Sequence, residues 1–366
     1  MSNTSFKLSF GQFVLVIYKT QVGIGVLTLP HELYIVGGID GWISILIGWF
    51  LSILSSYFVL KVLQKHPDES LFDILPKYFG KWIGRMILIG WLIYTLFAAT
   101  VLFMYTVHIV KVWILPNTNP LILGLLFLIP IYQITKNGLP MISRYAELTF
   151  LITIWMVPVL LYSMENGLWI NLLPVARDGW VPILKAVPLT SLSFMGFEIA
   201  YILYPHLKKK KDAFKGVVIA NSMSALIFLT VTILSYIRLS EPELKLSIWP
   251  TLDLLKLIRF PFLERLEIIF NSAYIIILFM SVIPYLYMAL DGANHLYKRL
   301  QERWSLMIVL SLWVIALFFP IITYVPIIRI KEWYSHAGLV FAFIFPFIFW
   351  LYSKFFLALR KGKIPQ

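Results

Sequence analysis

The chain has 366 residues, 60% of them hydrophobic and only 13% charged, and its mean hydropathy is +0.84. A soluble domain carries roughly 25% charged residues and far less apolar mass, so a soluble enzyme, a nucleic-acid-binding domain and a disordered chain are excluded. The formal net charge is +13 and there is no cysteine. The absence of cysteine removes disulfides, thiolate metal sites and cysteine nucleophiles. In so apolar a chain the basic excess belongs to loops that set membrane orientation and meet anionic headgroups.

At about 20 apolar residues per crossing helix, the chain reads as ten spans, at roughly 10–36, 41–64, 83–115, 120–135, 145–164, 186–206, 213–237, 266–290, 305–323 and 335–358. Ahead of the first, Met1 to Gly11 lacks a basic stretch followed by a cleavage site, so span 1 is expected to be a retained helix. The one long connection, about 238–265, is amphipathic through Leu252, Leu254, Leu255, Leu257, Ile258 and Phe260, and predicts a short surface helix. No change of composition divides the chain. One transmembrane domain over residues 1–366 is expected, in two five-span halves of about 10–164 and 182–358.

With the N-terminus inside, Lys7, the tail and the loops at 61–85, 136–144, 208–215 and 298–303 share the cytoplasmic side and hold 20 of the 31 Lys and Arg residues. The run Lys208-Lys209-Lys210-Lys211 is the strongest part of that bias. An even number of spans then places the C-terminus inside as well.

Spans 1 and 6 depart from plain helix. In span 1, Gln21-Val22-Gly23-Ile24-Gly25-Val26-Leu27-Thr28-Leu29-Pro30 sets two glycines and a proline in an apolar run, where glycine costs about 1 kcal/mol against alanine and proline about 3. In span 6, Pro182 and Pro188 precede Ser191-Leu192-Ser193-Phe194-Met195-Gly196-Phe197-Glu198, and Pro205 ends the segment. Unwound backbone survives in a bilayer only where protein or a cavity surrounds it. A glutamate in mid-span marks a functional position. Interruptions at the first span of each half point to an inverted-repeat transporter fold with a midplane site.

Gly23-Ile24-Gly25 together with Phe194-Met195-Gly196-Phe197-Glu198 resembles the amino acid–polyamine–organocation superfamily. The opening Leu8-Ser9-Phe10-Gly11-Gln12, the spacing from Gly23 to Pro30, ten spans and the length narrow the resemblance to the spore germinant-receptor B subunit, also called the endospore germination permease family. The resemblance implies an all-α, LeuT-type membrane fold. It also implies nutrient sensing in the spore inner membrane beside a membrane-embedded A subunit and a lipoprotein C subunit. By the same resemblance, a nutrient carboxylate would sit on the N–H groups of Ile24 and Gly25. Its ammonium would sit on carbonyls of Gln21, Leu192 and Met195. A sugar could use the same groups through its hydroxyls.

Selectivity then falls to the walls: Tyr94, Ala98, Val101 and Leu102 of span 3, and Ser281, Pro284 and Tyr285 of span 8. Two roles are open to Glu198, a protonation switch or a brace across the broken helix. Lys19 is expected to pair with a carboxylate such as Glu147, in preference to snorkelling. Six scattered histidines show no ligand spacing, so neither metal nor cofactor is expected, and no catalytic motif is present. A receptor subunit and a proton-coupled amino-acid transporter both fit these residues. At Gly25, helix propensity alone predicts that an alanine would be tolerated or stabilising by up to about 1 kcal/mol.

Overall fold

The computed structural model describes residues 6–258, 265–297, 302–319 and 324–361. Phe260, most of the 298–303 loop, the end of the ninth predicted span and Lys363 of the tail lie outside them.

Ser9 starts the first helix, α1 (Phe10–Gln21). Its Oγ accepts from the Gln12 N–H at 3.2 Å, and the Gln12 side chain accepts from the Ser9 N–H at 3.0 Å. The Leu8–Gln12 run is thus a capping box, which satisfies donors that the first turn cannot. After Gln21 the chain unwinds, and α2 (Ile24–Gly37) completes span 1. Pro30, read from the sequence as part of the break, lies inside α2. Its missing N–H strips the Val26 carbonyl of a helical donor, and the Thr251 hydroxyl supplies one at 2.6 Å.

Span 2 is α3 (Gly41–Leu63). Span 3 is α4 (Leu71–Trp113), which begins well before the expected residue 83. Ser70 and Asp73 form a second capping box there. A bend at Gly80 (φ +76°) then turns a short amphipathic arm, with Leu71, Phe72, Ile74 and Leu75 buried, into the span proper. Pro76 and Gly80 made this arm look like loop. Span 4 is α5 (Pro120–Lys136), and span 5 is α6 (Gly138–Thr153) followed by α7 (Met156–Tyr162).

Span 6 runs through α8 (Trp180–Phe194), unwinds at Met195-Gly196, and resumes through a 3-10 turn and α9 (Ala200–Leu203) to His206, bent by 45°. Pro182 and Pro188 lie inside α8, so here too the prolines do not make the break. Span 7 is α10 (Ala213–Arg238). The 238–265 connection holds two short helices, α11 (Glu241–Leu246) and α12 (Pro250–Leu257). They are not a surface feature: Leu252, Leu254 and Leu255 are buried, and α12 packs on α2 and α10. Spans 8 and 9 are α13 (Leu266–Leu296) and α14 (Glu302–Leu317). Span 10 is α15 (Tyr324–Gly338), a π-helical stretch Leu339–Ile344, and α16 (Phe345–Lys361).

The bundle is built for lipid. Large apolar side chains such as Phe50, Ile93, Leu126 and Leu151 face outward, while Ser44, Ser52, Ser56, Thr95 and Asn221 are buried. Among the described residues there is no β-strand, only an isolated bridge between Leu8 and Leu207. That bridge ties the N-terminus to the end of span 6, with Leu8 N–H donating to His206 O at 2.7 Å. Lys210 pairs with Asp68 at the same end and holds its carboxyl below the usual carboxylate range through a hydrogen bond. His295 meets Asp73 at 3.1 Å and Lys65 reaches Ser353 at 3.0 Å. At the other end, Asp40 accepts from the Ala176 and Arg177 N–H groups at 2.9 and 3.1 Å, and Lys331 pairs with Glu32.

Candidate functional site

The break in span 1 exposes both kinds of backbone group. Val22 N–H still reaches Tyr18 O at 3.0 Å, but Gly23 N–H turns back to Gln21 O at 2.9 Å. The N–H groups of Ile24 and Gly25, first in α2, have no acceptor within the helix and lie at its positive end. The Gly23 carbonyl accepts from the Tyr274 hydroxyl at 2.7 Å, which fixes the unwound turn against span 8.

The break in span 6 faces it. Gly196 has φ +125°, a conformation open to glycine and strained for other residues. Its N–H, which a continuing helix would give to Leu192 O, donates instead to Glu198 Oε2 at 2.8 Å, so the Leu192 carbonyl is released from the ladder. A Cβ on Gly196 would lie 3.0–3.1 Å from atoms of Gln21 and Thr20, so the two breaks touch. The Gln21 amide joins them: Nε2 donates to Phe194 O at 2.7 Å and to Asn221 Oδ1 at 2.6 Å, and Oε1 accepts from Ser224 Oγ at 2.6 Å.

Between the breaks lies a cavity of about 20 Å³. Span 1 contributes Thr20, Gln21, Gly23, Ile24 and Gly25, and span 6 contributes Leu192 and Met195. Val101 and Leu102 come from span 3, and Ser281 and Tyr285 from span 8. The sequence reading missed the contribution of span 10, Lys331 and Tyr334. Gly196, Glu198 and Tyr94, candidates in the sequence, stand behind the lining. Glu198 is fully buried, and its Oε1 accepts from the Tyr94 hydroxyl at 2.8 Å and the Tyr285 hydroxyl at 2.6 Å. One carboxylate therefore fastens the span 6 break to spans 3 and 8. Ser281 Oγ is buried at the cavity with no hydrogen-bond partner among the described residues.

Two glycines have a second task. A Cβ on Gly23 would sit 2.2 Å from Ser281 Oγ, and one on Gly25 2.4 Å from Ser193 Oγ and 2.9 Å from Ser193 Cβ. Gly25 is thus a seat for span 6 as well as a cavity wall. The expectation from helix propensity alone, that alanine would leave stability intact there, is overturned, because packing outweighs propensity.

A cavity of 20 Å³ holds about one water, far below the roughly 300–1,000 Å³ of ligand pockets. A second cavity of about 240 Å³ lies beyond it, lined by Thr28, His31, Glu32, Tyr105 and residues of span 10. Leu192 and Lys331 line both. Lys331 Nζ donates to Thr28 Oγ1 at 2.9 Å and pairs with Glu32, so spans 1 and 10 are tied across the boundary between the two.

Lys19 does not pair with Glu147. Its Nζ donates to Thr153 Oγ1 at 2.8 Å and lies 5.0 and 5.7 Å from the Tyr18 and Phe150 ring centres, while Glu147 accepts from Gln12 at 3.4 Å. The aromatic faces supply the attraction for which the sequence reading invoked a carboxylate. Among the described residues no His, Asp or Glu cluster could hold a metal.

Apolar spans broken at the first and sixth, with the breaks facing one internal cavity, define a multi-pass membrane protein of the LeuT type rather than an enzyme. The crystal structure of MhsT in complex with L-phenylalanine matches this fold with a TM-score of 0.64, covering 92% of this chain and 87% of that one at 14% identity. The chain belongs to the spore germination permease family, whose model, described as spore germination protein, matches residues 7–328. Spore germination protein YndE of Bacillus subtilis (strain 168) is 31% identical over 306 residues, 82% of this chain and 84% of its own. Spore germination protein B2 of the same strain is 27% identical over 376 residues, covering 100% of both. Spore germination protein GerQB of Bacillus cereus is 26% identical over 349 residues, 94% of this chain and 95% of its own.

Proposed function

We propose that this chain is the nutrient-binding membrane subunit of a spore germination receptor. An amino acid or another small polar nutrient binds between the breaks of spans 1 and 6. The observation that carries the reading is the convergence on one cavity of groups outside the helical ladders: the leading N–H groups of α2, the released Leu192 carbonyl and the Ser281 hydroxyl, which has no partner among the described residues. Donors at a positive helix end and acceptors across from them suit a zwitterion, and hydroxyls can satisfy the same groups. The amino acid named with MhsT supports the same class of ligand. The closed cavity must widen to admit it, and Leu192 and Met195, its walls from span 6, are the side chains that have to shift.

In this reading the chain lies in the spore inner membrane with both termini cytoplasmic, as one transmembrane domain of two five-span halves. It works with a membrane-embedded A subunit and a lipoprotein C subunit. A proton-coupled amino-acid transporter would use the same groups, so the test has two parts. Spores lacking the chain are screened against amino acids and sugars, and loss of germination to one nutrient class is expected. The purified chain in liposomes is then given the same nutrient radiolabelled, and no accumulation is expected. Strong uptake, with germination intact in the deletion, would assign the chain to transport.

A further inference from the structure

A larger cavity than the one between the breaks lies at the end of the bundle that carries the Asp73–His295 contact. It occupies about 340 Å³ where the end of α5, the end of α13 and the start of α14 meet. Its walls are unusually polar for a membrane protein. Thr135 is 3% exposed, and its hydroxyl has no hydrogen-bond partner among the described residues. The side-chain nitrogen and oxygen of Asn294 are both shielded and likewise unpartnered among them. An unmade bond of this kind costs about 1–3 kcal/mol for each buried group, which a bound polar ligand would recover.

The charges around it point to the ligand. Lys136 from the end of α5 and Arg303 from the start of α14 both line it, and neither makes an ion pair among the described residues. Lys136 Nζ lies 4.9 Å over the Tyr132 ring, which holds the ammonium at the site without neutralising it. The one carboxylate among the described lining residues, Asp291, stands 3.8 Å from Nδ1 of His295, whose Nε2 also meets Asp73 at 3.1 Å. Lys136 and Arg303 outnumber Asp291, so the described lining keeps a net positive charge that suits an anion. The Thr135 hydroxyl and the Asn294 amide nitrogen can donate to it, whereas the Asn294 oxygen requires a donor from the ligand. An anion that also brings hydroxyl donors meets all of these at once.

We propose that this cavity is a binding site for a glycerophosphate group, with the phosphate between Lys136 and Arg303 and a glycerol hydroxyl on Asn294. The group can arrive as the headgroup of phosphatidylglycerol or as a soluble glycerol phosphate. Basic recesses between spans at the membrane surface suit the first source. The site is independent of the nutrient cavity and does not rest on the proposed function.

The test uses the full chain in nanodiscs of phosphatidylcholine, with phosphatidylglycerol titrated in and bound lipid counted by native mass spectrometry. Wild type retains phosphatidylglycerol, and a variant carrying both Lys136→Ala and Arg303→Ala binds it roughly 25-fold more weakly, at about a fivefold loss per basic residue. Asn294→Leu separates the lock from bulk charge, because it weakens phosphatidylglycerol, which loses its glycerol contact as well, more than phosphatidic acid, which lacks the headgroup glycerol. Melting in pure phosphatidylcholine checks that each variant is folded. Soluble glycerol 3-phosphate is the second arm: competition at millimolar concentration, lost in the double variant, assigns the site to the soluble source. Equal binding of both probes by folded wild type and the folded double variant overturns the proposal.

Discussion

Glu198 shows how much can hang on one side chain. Three donors, the Gly196 N–H and two tyrosine hydroxyls, converge on its two oxygens. A glutamine would keep the shape and place an amide N–H₂ against at least one of those donors, leaving buried groups unpaired at about 1–3 kcal/mol. Glu198→Gln is therefore expected to lower the amount of chain in spore membranes, while the pH profile of the remaining response overlays wild type. Normal abundance with a shifted pH profile would make Glu198 a protonation switch instead. Gly25 gives a second test. Gly25→Ala drives a methyl into Ser193 and should cost about 1–3 kcal/mol, so abundance falls. Adding Ser193→Gly removes the clashing side-chain atoms and leaves the Ser193 Cα at 3.2 Å. Immunoblots should show abundance restored in the double variant, while its half-maximal nutrient dose stays raised because the methyl also borders the cavity. Recovery of both would make Gly25 a packing residue alone.

The boundary between the two cavities is a matter of elements rather than single residues. α2 and α15 are joined there by Lys331, Thr28 and Glu32. Lys331→Met leaves Glu32 without its cation, and removing one partner of a well-buried pair costs about 3–5 kcal/mol. Both groups retain some exposure, so the stability loss should fall below that range. The expected result is near-normal abundance with slower germination, read as the time to half-loss of optical density, and partial recovery in the Glu32→Gln, Lys331→Met double variant. Unchanged kinetics in the single variant would remove the pair from the nutrient's route. This junction also marks where sequence reading stopped. The breaks at Gly23 and Gly196 were legible because glycine punctuates an apolar run locally. Their exact seats were not: the prolines that seemed to cause them sit inside α2 and α8, with Thr251 repairing the first. Glu32 and Lys331 lie at opposite ends of the chain, and no local pattern relates them. The bonds from Gln21 to Asn221 and Ser224 are equally non-local. The arm ahead of Gly80 was hidden by Pro76, whose penalty is offset by burial of four apolar neighbours.

Over the whole molecule, contacts gather the N-terminus, the 64–70 and 206–212 connections and the end of α13 at one end, where most of the basic loops in the sequence also fall. Because the chain has no cysteine, single substitutions give a clean test of which side that end faces. Lys209→Cys should be shielded from a membrane-impermeant maleimide added outside intact cells, and Asp178→Cys should be labelled. The reverse pattern would invert the orientation. The nutrient cavity is tested most directly by enlarging it. In spores whose only receptor for the screened nutrient contains this chain, half-maximal doses are measured across a panel of amino acids and sugars for wild type, Leu192→Ala and Met195→Ala. Leu54→Ala, at an outward-facing apolar position, serves as control. A nutrient held between the breaks predicts that the two cavity variants, at normal abundance, change the rank order of the panel towards bulkier members, while the control keeps it. Dose curves that keep the wild-type order in both cavity variants would place the nutrient elsewhere.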